Sequence, residues 1–165
     1  MTKPLLFLAL AAALALTGPA GAQGTDVRFG GLKADTTLPV ELKADSLTVD
    51  QASGQAVFAG NVVVSQGEMK LSADKVVVQY VQGSTQKIDS LDATGNVTLV
   101  SGPDAAEAKQ AIYDVASGNV TLIGDVLLPQ GQNVMSGEHM VVNLADGTAQ
   151  MQGRIRSVLQ PAGQN

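Results

Sequence analysis

The chain has 165 residues, no cysteine, no tryptophan, and 15 acidic against 10 basic side chains. An acidic chain without a Lys/Arg cluster cannot readily neutralise a phosphate backbone, which argues against nucleic acid as a partner, and the lack of thiols removes disulfide and thiolate chemistry. Beyond the first 22 residues the aromatics are Phe29, Phe58, Tyr80 and Tyr113, so stacking platforms for bases or sugars are scarce.

Residues 1–22 read as a secretory signal, with Lys3 at the positive start, an apolar run from Leu5 to Leu16, and Ala20-Gly21-Ala22 as a small-residue cleavage site. The run is short of the roughly 20 residues a spanning helix needs, so cleavage near Gln23 and a secreted product are expected. Residues 23–35, through Gly30-Gly31, are predicted to be a mobile leader, 36–160 a single domain, and 161–165 a disordered polar tail.

Pro39 opens a strand-like run, Val40 to Val49, that closes in Asp50-Gln51-Ala52-Ser53-Gly54, a turn composition in which Gly supplies the φ other residues avoid. Gln55 to Ala59 returns as a second strand, and Gly60-Asn61-Val62 marks a bend or bulge. Val62 to Val64 and Val76 to Val78 are β-branched runs. Between them, after the polar turn Ser65-Gln66-Gly67-Glu68, Met69, Leu71 and Ala73 alternate with Lys70, Ser72 and Asp74 in the period of a half-buried strand.

This pattern recurs. A shift of 64 residues superposes Asp50 on Asp114, Ser53 on Ser117, Gly54 on Gly118, Gly60 on Gly124, Gln66 on Gln130 and Gly67 on Gly131, among twelve identities between Ala44 and Val78. Each half divides again, with related segments starting at Leu42, Leu71, Ala106 and Met135, spaced by 29, 35 and 29 residues. The longer interval is assigned to a surface loop around Gln82 to Gln86. Each unit ends in a related step: Gly60-Asn61-Val62, Gly95-Asn96-Val97, Gly124-Asp125-Val126 and Gly153-Arg154-Ile155.

Four copies of a strand, turn, strand, bend module predict an all-β protein of stacked antiparallel hairpins, each covering its neighbour's apolar face. Sandwich, jelly roll and open twisted barrel all satisfy the pattern. Pro103 to Lys109 has a helix-favouring composition, but the repeat register runs through it, so a loop entering a strand is expected.

Catalytic and metal patterns are lacking, and the chain reads as non-enzymatic with no cofactor. His139 is the single histidine and aligns in the repeat with Lys75 and Ser46, which marks an exposed strand position. Asp45, Asp74 and Glu138 could suggest paired carboxylates, but they share one repeat position and read as equivalent solvated sites. No nucleophile elbow, Walker loop or dinucleotide fingerprint occurs.

Two binding modes remain for such a domain. The inward aliphatic set, Val40, Leu42, Phe58, Val62, Val64, Leu71, Val97, Leu99, Tyr113, Val115 and Leu122, could fill a closed core or line a groove for hydrocarbon, each buried methylene contributing about 0.8 kcal/mol. The first and last strands could instead pair edge to edge with other chains. The candidate edges are Val40 to Val49, with Leu42 and Leu47, and Gly153 to Leu159, with Ile155 and Val158; end-to-end pairing would give an open homo-oligomer.

The segments PVELKADSLTVD, GNVVVSQGEMKLSADKVVV, AIYDVASGNVTLIGDVLL and MSGEHMVVNLADG, covering about Pro39 to Gly153, resemble the OstA-type lipopolysaccharide transport family. The resemblance implies an open, V-shaped β-jellyroll of about sixteen antiparallel strands whose interior carries lipid A acyl chains. It implies contacts at Thr36, Val40, Leu42, Tyr113 and Val115. It also implies head-to-tail stacking between an inner-membrane-anchored partner and an outer-membrane translocon of the same fold. A purely structural envelope protein, or another member of the same machinery, is the alternative.

Overall fold

The computed structural model describes residues 25–28, 32–84 and 86–159; the expected signal sequence (1–22) and the tail (161–165) lie outside the described residues. Among the described residues every helix or strand is a strand: β1 (Thr25–Arg28), β2 (Glu41–Lys43), β3 (Ser46–Asp50), β4 (Gln55–Gln66), β5 (Met69–Tyr80), β6 (Ile88–Ser101), β7 (Asp104–Asp114), β8 (Asn119–Gln130), β9 (Asn133–Asn143), β10 (Thr148–Gln152) and β11 (Arg156–Val158). They form one antiparallel sheet in the order β1-β10-β9-β8-β7-β6-β5-β4-β2, with β3 also on β4 and β11 also on β9.

The Gly-Asn/Asp steps fold this sheet in two. Gly60-Asn61, Gly95-Asn96 and Gly124-Asp125 take positive φ at both residues (80° and 45°, 82° and 47°, 82° and 47°). Gly adopts that region freely and Asn or Asp tolerates it. At each step the register slips: β4 between Ala59 and Val62, β6 between Thr94 and Val97, β8 between Ile123 and Val126. These are bulges, which bend a strand and increase its twist. On the intervening strands the buried alternation changes phase at the same level, from Ala73 to Val76 on β5 and from Ala106 to Ala111 on β7.

Strand partners divide along the same line. β2 pairs the part of β4 after the bulge (Leu42↔Val64), and β3 the part before it (Leu47↔Phe58). Likewise β11 pairs β9 at 134–136 and β10 pairs it at 139–143. The result is a first layer running from β2 to β11 and a second from β3 to β10, joined at a corner and facing each other across the core. β4 to β9 each contribute one segment to either layer; with β2, β3, β10 and β11 these are the sixteen short strands expected, β1 being additional. The structure therefore has fewer, longer strands than the repeat suggested, because the bends do not interrupt them.

A repeated side-chain pair spans the corner. Asn61 Nδ2 donates to Asp45 Oδ2 (2.8 Å) and Asn96 Nδ2 to Asp74 Oδ2 (2.8 Å). In the third and fourth units Lys109 Nζ meets Asp125 Oδ2 (2.6 Å) and Arg154 Nε donates to Glu138 Oε1 (2.8 Å). Asp45 and Asp74 thus hold bulges, and Glu138 holds the bend at Gly153-Arg154, at equivalent sites of the repeat.

The Pro103 stretch resolves as a turn at Gly102-Pro103 followed directly by β7. Pairing of Ala105 with Val100 and of Ala106 with Leu99 overrides its helical composition. The loop expected around Gln82 to Gln86 is present and closed by Val81 N–H to Lys87 O (2.8 Å).

The expected leader needs correction. Residues 25–28 form β1, paired with β10 (Thr25↔Met151 to Arg28↔Thr148), and Leu32 and Ala34 are core residues. The folded unit begins well before residue 36, because two apolar side chains at strand-like spacing there find a place between the layers.

Candidate functional site

The inward face of every strand contributes to one apolar interior. Of the positions expected to line a groove, Val62, Leu71, Val97, Leu99 and Tyr113 are buried within it, and Val40, Leu42, Phe58 and Val115 are half-buried against it. The structure brings these nine together around one core that side chains fill. Thr36 lies apart, half-buried at the rim against Gly118, where a Cβ on the glycine would be 3.9 Å from Thr36 Cβ.

Opposite the corner the two layers end in turns, and these rims define a mouth. The first layer supplies Gly67-Glu68 and Gly102-Pro103; the second supplies the turns at Gly118 and at Leu144 to Gly147. Residues 32–38 cross between them as a strap. Ala34 N–H donates to Leu144 O (2.8 Å), and Leu32 and Ala34 point into the core. Ser101 Oγ donates to Lys33 O (2.8 Å), and Gln66 Nε2 to Thr36 O (2.9 Å) and Leu38 O (2.8 Å). Beside the strap runs an open groove of about 780 Å³ between Glu68 and Pro103 on one rim and Ala145 on the other.

Gln66 is 2% exposed and Ser101 0%, and they are the buried polar side chains among the core of the described residues. Gln66 also accepts a short hydrogen bond from the Tyr113 hydroxyl. A buried carboxamide is costly unless its donors and acceptor are met; here the strap carbonyls and Tyr113 meet them. Burial pushes the Tyr113 phenol above its ordinary value of 10.0, against the opposing pull of its Gln66 partner, so it is a neutral donor. At the rim the Thr37 hydroxyl and amide hold Asp35 below its ordinary 3.8 and fix the strap's turn.

The sheet ends where β2 and β3 leave β4 and where β1 and β11 leave β10 and β9. Leu47 (55% exposed) and Val49 (60%) lie opposite Phe58 and Ala56, so they share the inward face and carry it into solvent. At the far end Met151 covers Gly137, where a Cβ would come within 2.7 Å of Met151 Cγ. Ile155 and Val158 are exposed beside and on β11. Of the edge positions, Val40 and Leu42 pack inward as well, and at the other end of the sheet the second layer is closed by β1, which pairs with β10.

No group of three or more His, Asp or Glu that could hold a metal occurs among the described residues. His139 is exposed on β9 opposite Ile123 and Gln152.

The sequence reading did not single out Leu32, Ala34, Gln66 or Ser101 as mouth residues. A signal for the first two was present: Leu32-Lys33-Ala34-Asp35 repeats Leu42-Lys43-Ala44-Asp45. Gln66 and Ser101 sit in turn-flanking polar context, and nothing local marks them as buried.

A family model described as LptA/(LptD N-terminal domain) LPS transport protein matches residues 41–148. An uncharacterised protein of Rhizobium meliloti strain 1021 is 30% identical over 177 residues, covering 96% of this chain and 95% of the other. The lipopolysaccharide export system protein LptA of Escherichia coli K12 is 31% identical over 110 residues, covering 63% of this chain and 59% of that one. The crystal structure of LptH from Pseudomonas aeruginosa, the LptA-homologous periplasmic component of its lipopolysaccharide transport device, superposes with a TM-score of 0.65 at 25% identity, over 78% of this chain and 99% of that chain.

Proposed function

This chain belongs to the family of LPS transport proteins that comprises LptA and the N-terminal domain of LptD, and from that membership we propose that it is a periplasmic lipopolysaccharide carrier that holds lipid A acyl chains between its two layers. The observation that carries this reading is the continuity of the apolar interior. It runs from Leu42 and Phe58 beside the exposed Leu47 and Val49 at one end of the sheet to Met151 at the other. Acyl methylenes entering it would each contribute about 0.8 kcal/mol, so a chain of a dozen carbons supplies on the order of 10 kcal/mol before ordering costs.

In this reading Val40, Leu42, Phe58, Val62, Leu71, Val97, Leu99, Tyr113 and Val115 contact hydrocarbon and Thr36 lies at the rim. The work is binding and transfer, without catalysis. The sheet ends at β3 and β11 pair with same-fold partners anchored in the inner membrane and seated in the outer-membrane translocon, or with further copies of the chain, to make a bridge. Residues 1–22 direct export and are removed. A second reading, a structural envelope protein acting only through its edges, draws on the exposure of Leu47, Val49 and Val158.

Photo-crosslinking separates the two. A photoreactive residue at Val40 or Tyr113 should give a lipopolysaccharide adduct in intact envelopes, and one at the exposed Lys43 should give none. A folded protein that yields no adduct at either inward position would leave the edge-only reading.

A further inference from the structure

Residues 32–38 are unlike the rest of the core. Leu32 and Ala34 are as buried as the strand residues, yet their segment belongs to no strand. It is held across the mouth by four hydrogen bonds from the walls and sheet ends: Ala34 N–H to Leu144 O, Ser101 Oγ to Lys33 O, and Gln66 Nε2 to Thr36 O and to Leu38 O. By contrast β4 and β5 alone share ten registered residue pairs. Segments with few bonds open first.

Three of these bonds, the ones made by side chains, run one way. Gln66 and Ser101 offer side-chain donors into the interior, and the strap answers with the backbone carbonyls of Lys33, Thr36 and Leu38, on a segment whose Leu32 and Ala34 enter the core. An acyl chain joined through an ester or amide presents the same pair of features: a carbonyl acceptor next to hydrocarbon. Tyr113, Leu71, Leu99 and Leu122 are completely buried, so such a chain cannot simply be added to a filled interior.

We propose that residues 32–38 are an internal competitor for the carrier's groove: they occupy it when it is empty and are displaced by the ligand's acyl chains, whose carbonyls take over the donors of Gln66 and Ser101. This inference rests on the carrier reading and specifies its regulation. Occupied by its own strap, the empty carrier keeps Leu32 and Ala34 in place of lipid and leaves no buried donor unpaired. The competitor also reduces apparent affinity to the intrinsic affinity times the fraction of molecules in which the strap is unseated, so loading and strap release are one equilibrium.

The chain contains no cysteine, which permits a direct test. A Cβ at Gly118 would lie 3.9 Å from Thr36 Cβ, within the roughly 3.5–4.5 Å that a disulfide spans. In the full chain carrying Thr36→Cys and Gly118→Cys, oxidation should reduce loading of fluorescently labelled lipopolysaccharide by about tenfold or more, and reduction should restore it to the wild-type level. An oxidised protein that melts cooperatively and loads as well as its reduced form overturns the inference and leaves the carrier reading standing. Failure of both the reduced variant and the wild type to load overturns the carrier reading, and the inference with it.

Because Gly118 has a φ of 69°, the double variant could misfold, and the wild-type protein supplies a second measurement. Hydrogen exchange should show the Ala34 amide losing protection on saturation with lipopolysaccharide while the amides of β5 keep theirs. An Ala34 amide equally protected in the loaded protein overturns the inference.

Discussion

Along the corner, four exposed pairs hold successive Gly steps, three of them bulges and the fourth the bend at Gly153-Arg154: Asp45 with Asn61, Asp74 with Asn96, Lys109 with Asp125, Glu138 with Arg154. Along the mouth, three buried side chains, Gln66, Ser101 and Tyr113, hold one irregular segment or one another, and no second copy of the arrangement exists among the described residues. The corner repeats because any pair that reaches across a bulge in water will serve, whether amide to carboxylate or cation to carboxylate. The mouth does not repeat, because a single strap crosses it and each buried donor must match one carbonyl. The corner is therefore expected to depend on backbone geometry and to tolerate exchange of its side-chain charges. The mouth should show the reverse.

The largest effect should come from corner backbone. At Gly95, φ is 82° and an added Cβ would lie 2.9 Å from Asp74 Cβ, an atom fixed by its own backbone. Gly95→Val combines that clash with a branched side chain in the left-handed region, and should cost about 3 kcal/mol in urea denaturation. Gly54 has a φ of 67° with nothing within 4 Å of the added atom, so Gly54→Ala should cost only about 1 kcal/mol. Equal losses at the two sites would show that conformation alone, and not the packed corner, sets the requirement.

Next in size is a contrast between repeat twins. Gln66 and Gln130 occupy the same place in the two halves, but Gln66 is buried under the strap and Gln130 is exposed. Gln66→Leu leaves the Tyr113 hydroxyl and two strap carbonyls without their partner, and should destabilise by about 1–3 kcal/mol. Gln130→Leu should fall within about 0.5 kcal/mol of wild type. The same network has an alkaline signature. Burial raises the Tyr113 pKa above 10.0, so the folded state keeps a proton that the unfolded state releases. That contribution is complete below pH 10.0 and is lost as pH rises through the folded value. The melting temperature should fall above pH 10.0, and less steeply in Tyr113→Phe.

This contrast also explains what could be read from the sequence. Alternation, the Gly-Asn steps and the 64-residue repeat identify strands, bends and turns because each is enforced locally: Gly60, Gly95 and Gly124 are needed at their own positions whatever lies across the core. The inward set around Leu71, Leu99 and Tyr113 follows from period 2 for the same reason. The strap is different. Whether Gln66 is buried depends on residues 32–38 arriving from about 30 positions earlier in the chain, and its exposed twin Gln130 shows that local sequence does not decide the matter. The continuous strands through each bend were missed because a bulge and a strand break have the same composition.

Smaller again is the acid response of the turns. Hydrogen bonds from Ser53 and Ala52 hold Asp50 below its ordinary 3.8, and those from Ser117 do the same for its twin Asp114; Thr148 acts similarly on Asp146. These folded carboxylates bind protons less readily than unfolded ones. The stabilisation they give is present above pH 3.8 and declines as pH falls below it through the folded values. All three are at the surface, so a shallow drop in melting temperature below pH 3.8 is expected. Asp50→Asn and Asp114→Asn should each remove a similar part of that slope, and unequal effects would show that the strap, which touches Gly118 but not Gly54, stiffens one turn over the other.

The smallest effect should be at the third corner pair. Lys109 and Asp125 form an ion pair with side chains 73% and 80% exposed, where solvent and salt screen the attraction and ordering two side chains offsets much of it. Asp125 has a φ of 47°, and Asn stands at the matching bulge position in two other units with φ of 45° and 47°. Asp125→Asn keeps a side chain that tolerates this backbone and restores the pattern of Asn61 and Asn96, so its denaturation midpoint should coincide with wild type at moderate salt. Asp125→Val removes the same charge but places a branched residue at positive φ, and should be clearly destabilising at every salt concentration. If the two substitutions instead cost the same, and the cost vanished in high salt, the charge would be the feature that holds the corner, and the division between a geometric corner and a chemical mouth would fail.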